Sequence, residues 1–74
     1  MFKKMKLNGE IKKLRQDIVD LENKRSRSQS ALVAAILEQK DPNETDVEFF
    51  NNYSKQIDEV RELLKIKEIE LQNL

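Results

Sequence analysis

The chain of 74 residues contains no cysteine, no histidine and no tryptophan. Without thiols or imidazoles there can be no disulfides, no Cys or His zinc sites, no thiol nucleophile and no imidazole acid–base pair. One glycine and one proline leave little material for tight turns, strands or phosphate-cradling loops. Long apolar runs are also missing. The longest, Ala31–Leu37, falls far short of the ~20 residues that cross a bilayer, so no membrane span is expected. Behind the basic start Lys3-Lys4-Met5-Lys6 there is no apolar core of a signal peptide, and a cytoplasmic chain is the expectation.

Charge is what the chain has in quantity: 14 Lys and Arg against 14 Asp and Glu, for a net charge of zero. The two signs are segregated. Residues 1–40 hold ten basic and five acidic side chains, and residues 41–74 hold four and nine, balances of +5 and −5. Such halves attract each other, within one chain or between copies. A nucleic-acid-binding domain of this size is more often basic overall. The basic stretches Lys3-Lys4-Met5-Lys6, Lys12-Lys13 and Lys24-Arg25-Ser26-Arg27 carry no interleaved aromatics. Nucleic acid is therefore not the expected partner.

The apolar spacing is helical throughout. Leu7, Ile11, Leu14, Ile18 and Leu21 recur at steps of four and three, and the count continues through Arg25, Ser28, Leu32 and Ala35. Phe50, Tyr53, Ile57, Val60, Leu64, Lys67, Leu71 and Leu74 form a second stripe of the same kind. Two heptad stripes separated by a short polar segment predict an all-α, antiparallel two-helix hairpin with coiled-coil-like packing. Two helices leave much apolar surface uncovered, so the bundle is expected to be completed by oligomerisation.

Asp41-Pro42-Asn43-Glu44 marks the break, because proline cannot continue the helix behind it. Thr45-Asp46-Val47-Glu48 has the spacing of a capping box. The expected organisation is a basic arm over 1–7, a helix over 8–40, a turn over 41–44 and a helix over 45–73. Folding back about that turn pairs residues whose numbers sum to about 86: Ile36 with Phe50, Leu32 or Val33 with Tyr53, Leu21 with Leu64 or Lys65, Leu14 with Leu71. The same rule puts Arg25 beside Arg61 and within reach of Asp58 and Glu62. A charged group in the seam, paired with Asp58 or Glu62, is expected to fix the register.

Catalysis has little foothold, and neither catalytic residues nor a cofactor or metal is expected. Ser26, Ser28, Ser30 and Ser54 lack a histidine base, and two helices enclose no pocket for a serine–lysine pair. Asp58 and Glu62 stand four apart, a spacing that arises constantly on charged helices. Asp41, Asn43 and Thr45 open like a calcium loop, but Asp46 occupies the glycine position and Asn52 the closing glutamate position.

The hairpin tip is the informative surface. Ala31–Leu37 is apolar around the whole helix, although one partner helix covers only about a third of it. Phe49 and Phe50 point about 100° apart and cannot share one seam. Leu32, Val33, Ile36, Leu37, Phe49, Phe50 and Tyr53 are therefore the expected partner-binding residues, for a second copy or for another protein.

The segment Glu44-Thr45-Asp46-Val47-Glu48-Phe49-Phe50-Asn51-Asn52-Tyr53-Ser54-Lys55-Gln56-Ile57-Asp58-Glu59-Val60 resembles the stretch after the turn in the N-terminal scaffolding (delta) region of tailed-phage major capsid proteins. Leu14-Arg15-Gln16-Asp17-Ile18 is similar to the opening of that region's first helix. The resemblance, over about residues 7–74, implies a hairpin that guides capsid-subunit assembly in a phage-infected bacterial cell. The 74 residues do not include the capsid shell domain that normally follows in that family, which leaves a free-standing scaffold, a fragment and an unrelated hairpin all open. Ile11-Lys12-Lys13-Leu14-Arg15 with Ser54-Lys55-Gln56-Ile57-Asp58 is similar to the small sporulation phosphatases that act on response regulators, with Gln56-Ile57 departing from their usual pair. That second resemblance ranks lower and implies a helical-hairpin regulator of a host signalling or transcription protein, a role that a phage-encoded inhibitor would share.

Overall fold

The computed structural model describes residues 2–74; Met1, the first residue of the expected basic arm, lies outside them. Two helices, α1 (Phe2–Leu37) and α2 (Glu44–Gln72), pack against each other along most of their length. The result is a rod of 56 × 17 × 15 Å. Its length is that of α1 itself, whose 36 residues rise about 54 Å at 1.5 Å each. Among the described residues there is no strand, and no helix is long and apolar enough to cross a membrane.

The boundaries differ from those expected, for local reasons. The basic residues Lys3, Lys4 and Lys6 belong to the first turns of α1 rather than to an arm, and Leu7 beside them is buried. At its other end α1 stops at Leu37, three residues before the expected limit. The stop is a Schellman closure. Lys40 N–H donates to the Ala35 carbonyl at 2.9 Å and Gln39 N–H to the Ile36 carbonyl at 3.1 Å, with Gln39 in the left-handed region at φ 57°. Asn43, not Thr45, caps α2: its side-chain oxygen accepts from Thr45 N–H at 2.8 Å, and its carbonyl accepts from Val47 N–H. Glu44 and Asp46 then lie in the first turn, where acidic side chains suit the positive end of the helix dipole.

Both expected stripes face inward. From Leu7 to Ala35, and from Phe50 to Leu71, every stripe residue is buried or half-buried, Arg25 and Lys67 included. Only Leu74, beyond the end of α2, is exposed. Ile57 has no exposed surface, and Leu7, Ile11 and Ser28 follow at 5%, 4% and 5%. Ser28 satisfies its hydroxyl within α1 by donating to the Arg25 carbonyl at 2.9 Å, which makes a small polar residue tolerable in the seam.

The register is the larger correction. Cross-helix partners are Arg15 with Glu68, Glu22 with Arg61, Glu10 with Lys67, and Arg25 with Ser54. Their numbers sum to between 77 and 83 rather than about 86. The stripes thus meet one heptad away from the expected pairing, which brings Leu21 level with Ile57 and Leu14 level with Leu64. The expected pairs of Ile36 with Phe50, of Leu32 or Val33 with Tyr53, and of Leu14 with Leu71 are displaced accordingly. Ile36 and Leu37 come level with the loop before Glu44, where no helix covers them, and stay 72% and 78% exposed.

Candidate functional site

Arg25 occupies the middle of the seam without a carboxylate. Its Nη1 donates to Ser54 Oγ at 3.0 Å, and its guanidinium carbon stands 5.3 Å from the Phe50 ring centroid, within cation–π range. Nε is buried with no hydrogen-bond partner. Asp58 and Glu62, expected to hold this cation, are both exposed and make no ion pair with it. The guanidinium turns instead toward Phe50 and Ser54, and Asp58 and Glu62 stand one and two turns beyond Ser54 toward the chain end. Arg25 does lie against α2, as its place in the stripe requires.

The two flanks of the seam are dressed differently. On one flank Arg15 and Glu68 pair at 3.2 Å, and one heptad along Glu22 and Arg61 pair at 3.6 Å. These contacts are exposed, worth at most about 1 kcal/mol each, and act chiefly to align the helices. The other flank opens into a groove of about 800 Å³. Lys24, Arg27, Ser28 and Ala31 line it from α1, and Asp46, Phe49 and Tyr53 from α2. Phe49 and Tyr53, one turn apart, stack with ring centroids 6.2 Å apart and planes at 20°.

The expected tip residues are divided by this geometry. Leu32, Phe50 and Tyr53 are half-buried in the seam. Val33, Ile36, Leu37 and Phe49 remain on the surface at 48%, 72%, 78% and 50% exposure. They do not form one patch. Phe49 belongs to the groove, whereas Val33 lies about 200° round α1 from the groove residue Ala31. Val33, Ile36 and Leu37 together make an apolar end on α1: Ile36 and Leu37 come level with the loop before Glu44, and Val33 lies off the inward stripe.

Sequence reasoning missed a further set of exposed apolar residues. Leu63, Ile66 and Ile69 step along the outer side of α2 at three-residue spacing, 43–48% exposed. Their signal was present as three apolar residues off the heptad seam among charged neighbours. Among the described residues no group of three or more acidic side chains could hold a metal ion.

No family model, no curated protein and no solved structure matches this chain.

Proposed function

We propose that this hairpin is a non-enzymatic protein-interaction module that docks the uncovered end of α1 on a protein partner. The observation that carries the reading is the exposure of Val33, Ile36 and Leu37, contiguous on the end of α1, with Ile36 and Leu37 past the start of α2. Burying one such side chain contributes about 1.5–3 kcal/mol, so three provide a substantial drive to associate. The rest of the rod positions this end: the seam stiffens α1, and the Schellman closure halts it just past Leu37.

The specific form we favour is an assembly hairpin of the capsid-scaffolding type, on the resemblance of residues 44–60 and 14–18 to that region of tailed-phage capsid proteins. A long, charged rod with an adhesive end suits transient guidance of a larger subunit. The helical-hairpin regulator of a signalling or transcription protein is the alternative form of the same docking.

The test is affinity purification of the tagged chain from its own host, with partners identified by mass spectrometry. Wild type is expected to retain one stoichiometric partner, and Ile36→Lys with Leu37→Lys to lose it. Lysine is chosen because a basic residue suits a helix C-terminus, which keeps the fold. A capsid shell subunit supports the assembly form, and a response regulator or transcription factor replaces it with the regulator form. A partner retained by the double variant overturns docking through this end.

A further inference from the structure

Outside the seam and its two flanks, each helix has an outer side, the three heptad positions farthest from the other helix, on which every residue is exposed. On α1 this side carries Lys6, Lys12, Lys13 and Arg27 against Asp20 alone, a balance of +3. On α2 it carries Glu44, Glu48, Asp58, Glu59 and Glu62 against Lys55 and Lys65, a balance of −3. The ion pairs between the helices use other residues: Arg15 with Glu68, Glu22 with Arg61 and Glu10 with Lys67. Among the described residues none of the outer charges is paired within the chain. The rod is thus basic along one broad side and acidic along the opposite one. Near the chain ends the same two sides expose apolar residues, Phe2 and Met5 on α1 and Ile66 and Ile69 on α2.

We propose that copies of this chain stack broadside, the outer side of α1 in one on the outer side of α2 in the next, pointing the same way and staggered by about 10 Å. The charges set the stagger. Level stacking repeats the numbering of the hairpin itself, where partners sum to between 77 and 83. It lays Asp20 on Glu59 and Glu62, and Arg27 on Lys55. A shift of about seven residues, which is about 10 Å along the rod, removes both clashes. Lys12 then meets Glu62, Lys13 meets Glu59, Asp20 meets Lys55, and Arg27 meets Glu44 and Glu48. Met5 and Phe2 come over Ile69, while Lys6 and Lys65 come level at opposite edges. Turning the second copy end for end also matches the charges, with Lys13 over Glu48 and Arg27 over Glu62. That arrangement carries Phe2 and Met5 past the start of α2 and leaves them bare, so the apolar residues select the parallel stack. The contact runs about 42 Å along helices about 10 Å wide, roughly 400 Å² per partner, the size of a weak and reversible association. Because the two sides in contact differ, the stack extends copy by copy instead of closing as a twofold dimer. The last turns of α1 run past the neighbour's α2, so Ile36 and Leu37 stay free for the docking described above.

Sedimentation over a range of about 10 µM to 1 mM, where weak association is read, tests the stack, with circular dichroism confirming the helix content of each variant. The average mass of wild type is expected to climb with concentration from 8.8 kDa past the dimer without a plateau. In about 0.5 M salt it should climb less, because exposed charges are screened. Lys12→Glu with Lys13→Glu is expected to weaken association about tenfold or more. Adding Glu59→Lys with Glu62→Lys to the same chain is expected to restore it; these residues lie on the far side of the rod, so the rescue acts between copies. Adding Glu48→Lys instead should not restore it, and Ile36→Lys with Leu37→Lys should leave wild-type stacking intact. A monomeric wild type overturns the proposal, and if that monomer also sediments with phosphatidylglycerol vesicles, the basic side belongs to an anionic lipid surface. A mass that levels off at the dimer, association indifferent to the charge reversal, rescue by Glu48→Lys, or loss on changing Ile36 and Leu37 overturns it as well.

Discussion

Arg25 and Phe50 meet across the seam, the guanidinium carbon 5.3 Å from the ring centroid, while the same guanidinium donates to Ser54 Oγ at 3.0 Å. A cation in the middle of the seam is thus received by a π face and a hydroxyl, neither of which carries charge. Nε is left buried and unmet, so the arrangement specifies a position more than it stabilises one.

Arg25→Met is accordingly expected to hold or raise stability, by up to about 1 kcal/mol, because it removes an incompletely satisfied cation and keeps the volume. Ser54→Ala is expected to lower it by about 1–3 kcal/mol, the cost of stranding a part-buried charged donor. In the Arg25→Met background that loss should disappear. Urea midpoints for the two single variants and the double variant provide the check; a Ser54→Ala loss that persists without Arg25 would show that the hydroxyl serves something else.

Gln39 holds the left-handed conformation that closes α1, at φ 57°. A residue with a Cβ is disfavoured there by about 1–2 kcal/mol, and glycine is not. Gln39→Gly is expected to raise the melting temperature by about 4–8 °C, the shift that about 1 kcal/mol gives in a domain of this size. Gln39→Val is expected to lower it. Thermal melts followed by circular dichroism decide between the two signs.

At the start of α2 the load falls on Asn43, whose side chain accepts from the Thr45 amide. Asn43→Ala is expected to cost about 1 kcal/mol. Thr45→Ala should cost nothing measurable, because it is the backbone of Thr45 that makes the bond. Equal losses at the two positions would restore the capping box that the sequence suggests.

The seam was readable from the sequence because the inward residues of both helices follow an unbroken three–four spacing, and that spacing survives even where Arg25 and Ser28 interrupt its apolarity. The register was not readable. A slip of one heptad leaves the same faces in contact, so periodicity alone cannot choose between pairing Leu21 with Leu64 and pairing it with Ile57. What chooses is the place where α1 ends, and the left-handed residue there is a glutamine, so the usual glycine signal was missing and Pro42 drew the boundary too late. The cap was misplaced for a related reason: Asn43 and Thr45 are both good caps two residues apart, and the shorter loop takes the earlier one. The exposure of Ile36 followed from the slip, since only the true register brings it level with the loop, whereas Phe49 flanks the seam in either register.

Among the described residues the one side chain with no exposed surface, Ile57, lies about midway along the rod, level with Leu21 in the register set by the cross-helix pairs. At one extremity Phe2 and Met5 are 88% and 68% exposed, and at the other Ile36 and Leu37 are nearly as bare. Protection of the backbone amides against hydrogen exchange should therefore fall in both directions from this layer, with the two extremities opening independently of each other. Binding at the end of α1 would then be recorded as slowed exchange over its last turns alone, while the layer at Ile57 keeps the rate of global unfolding.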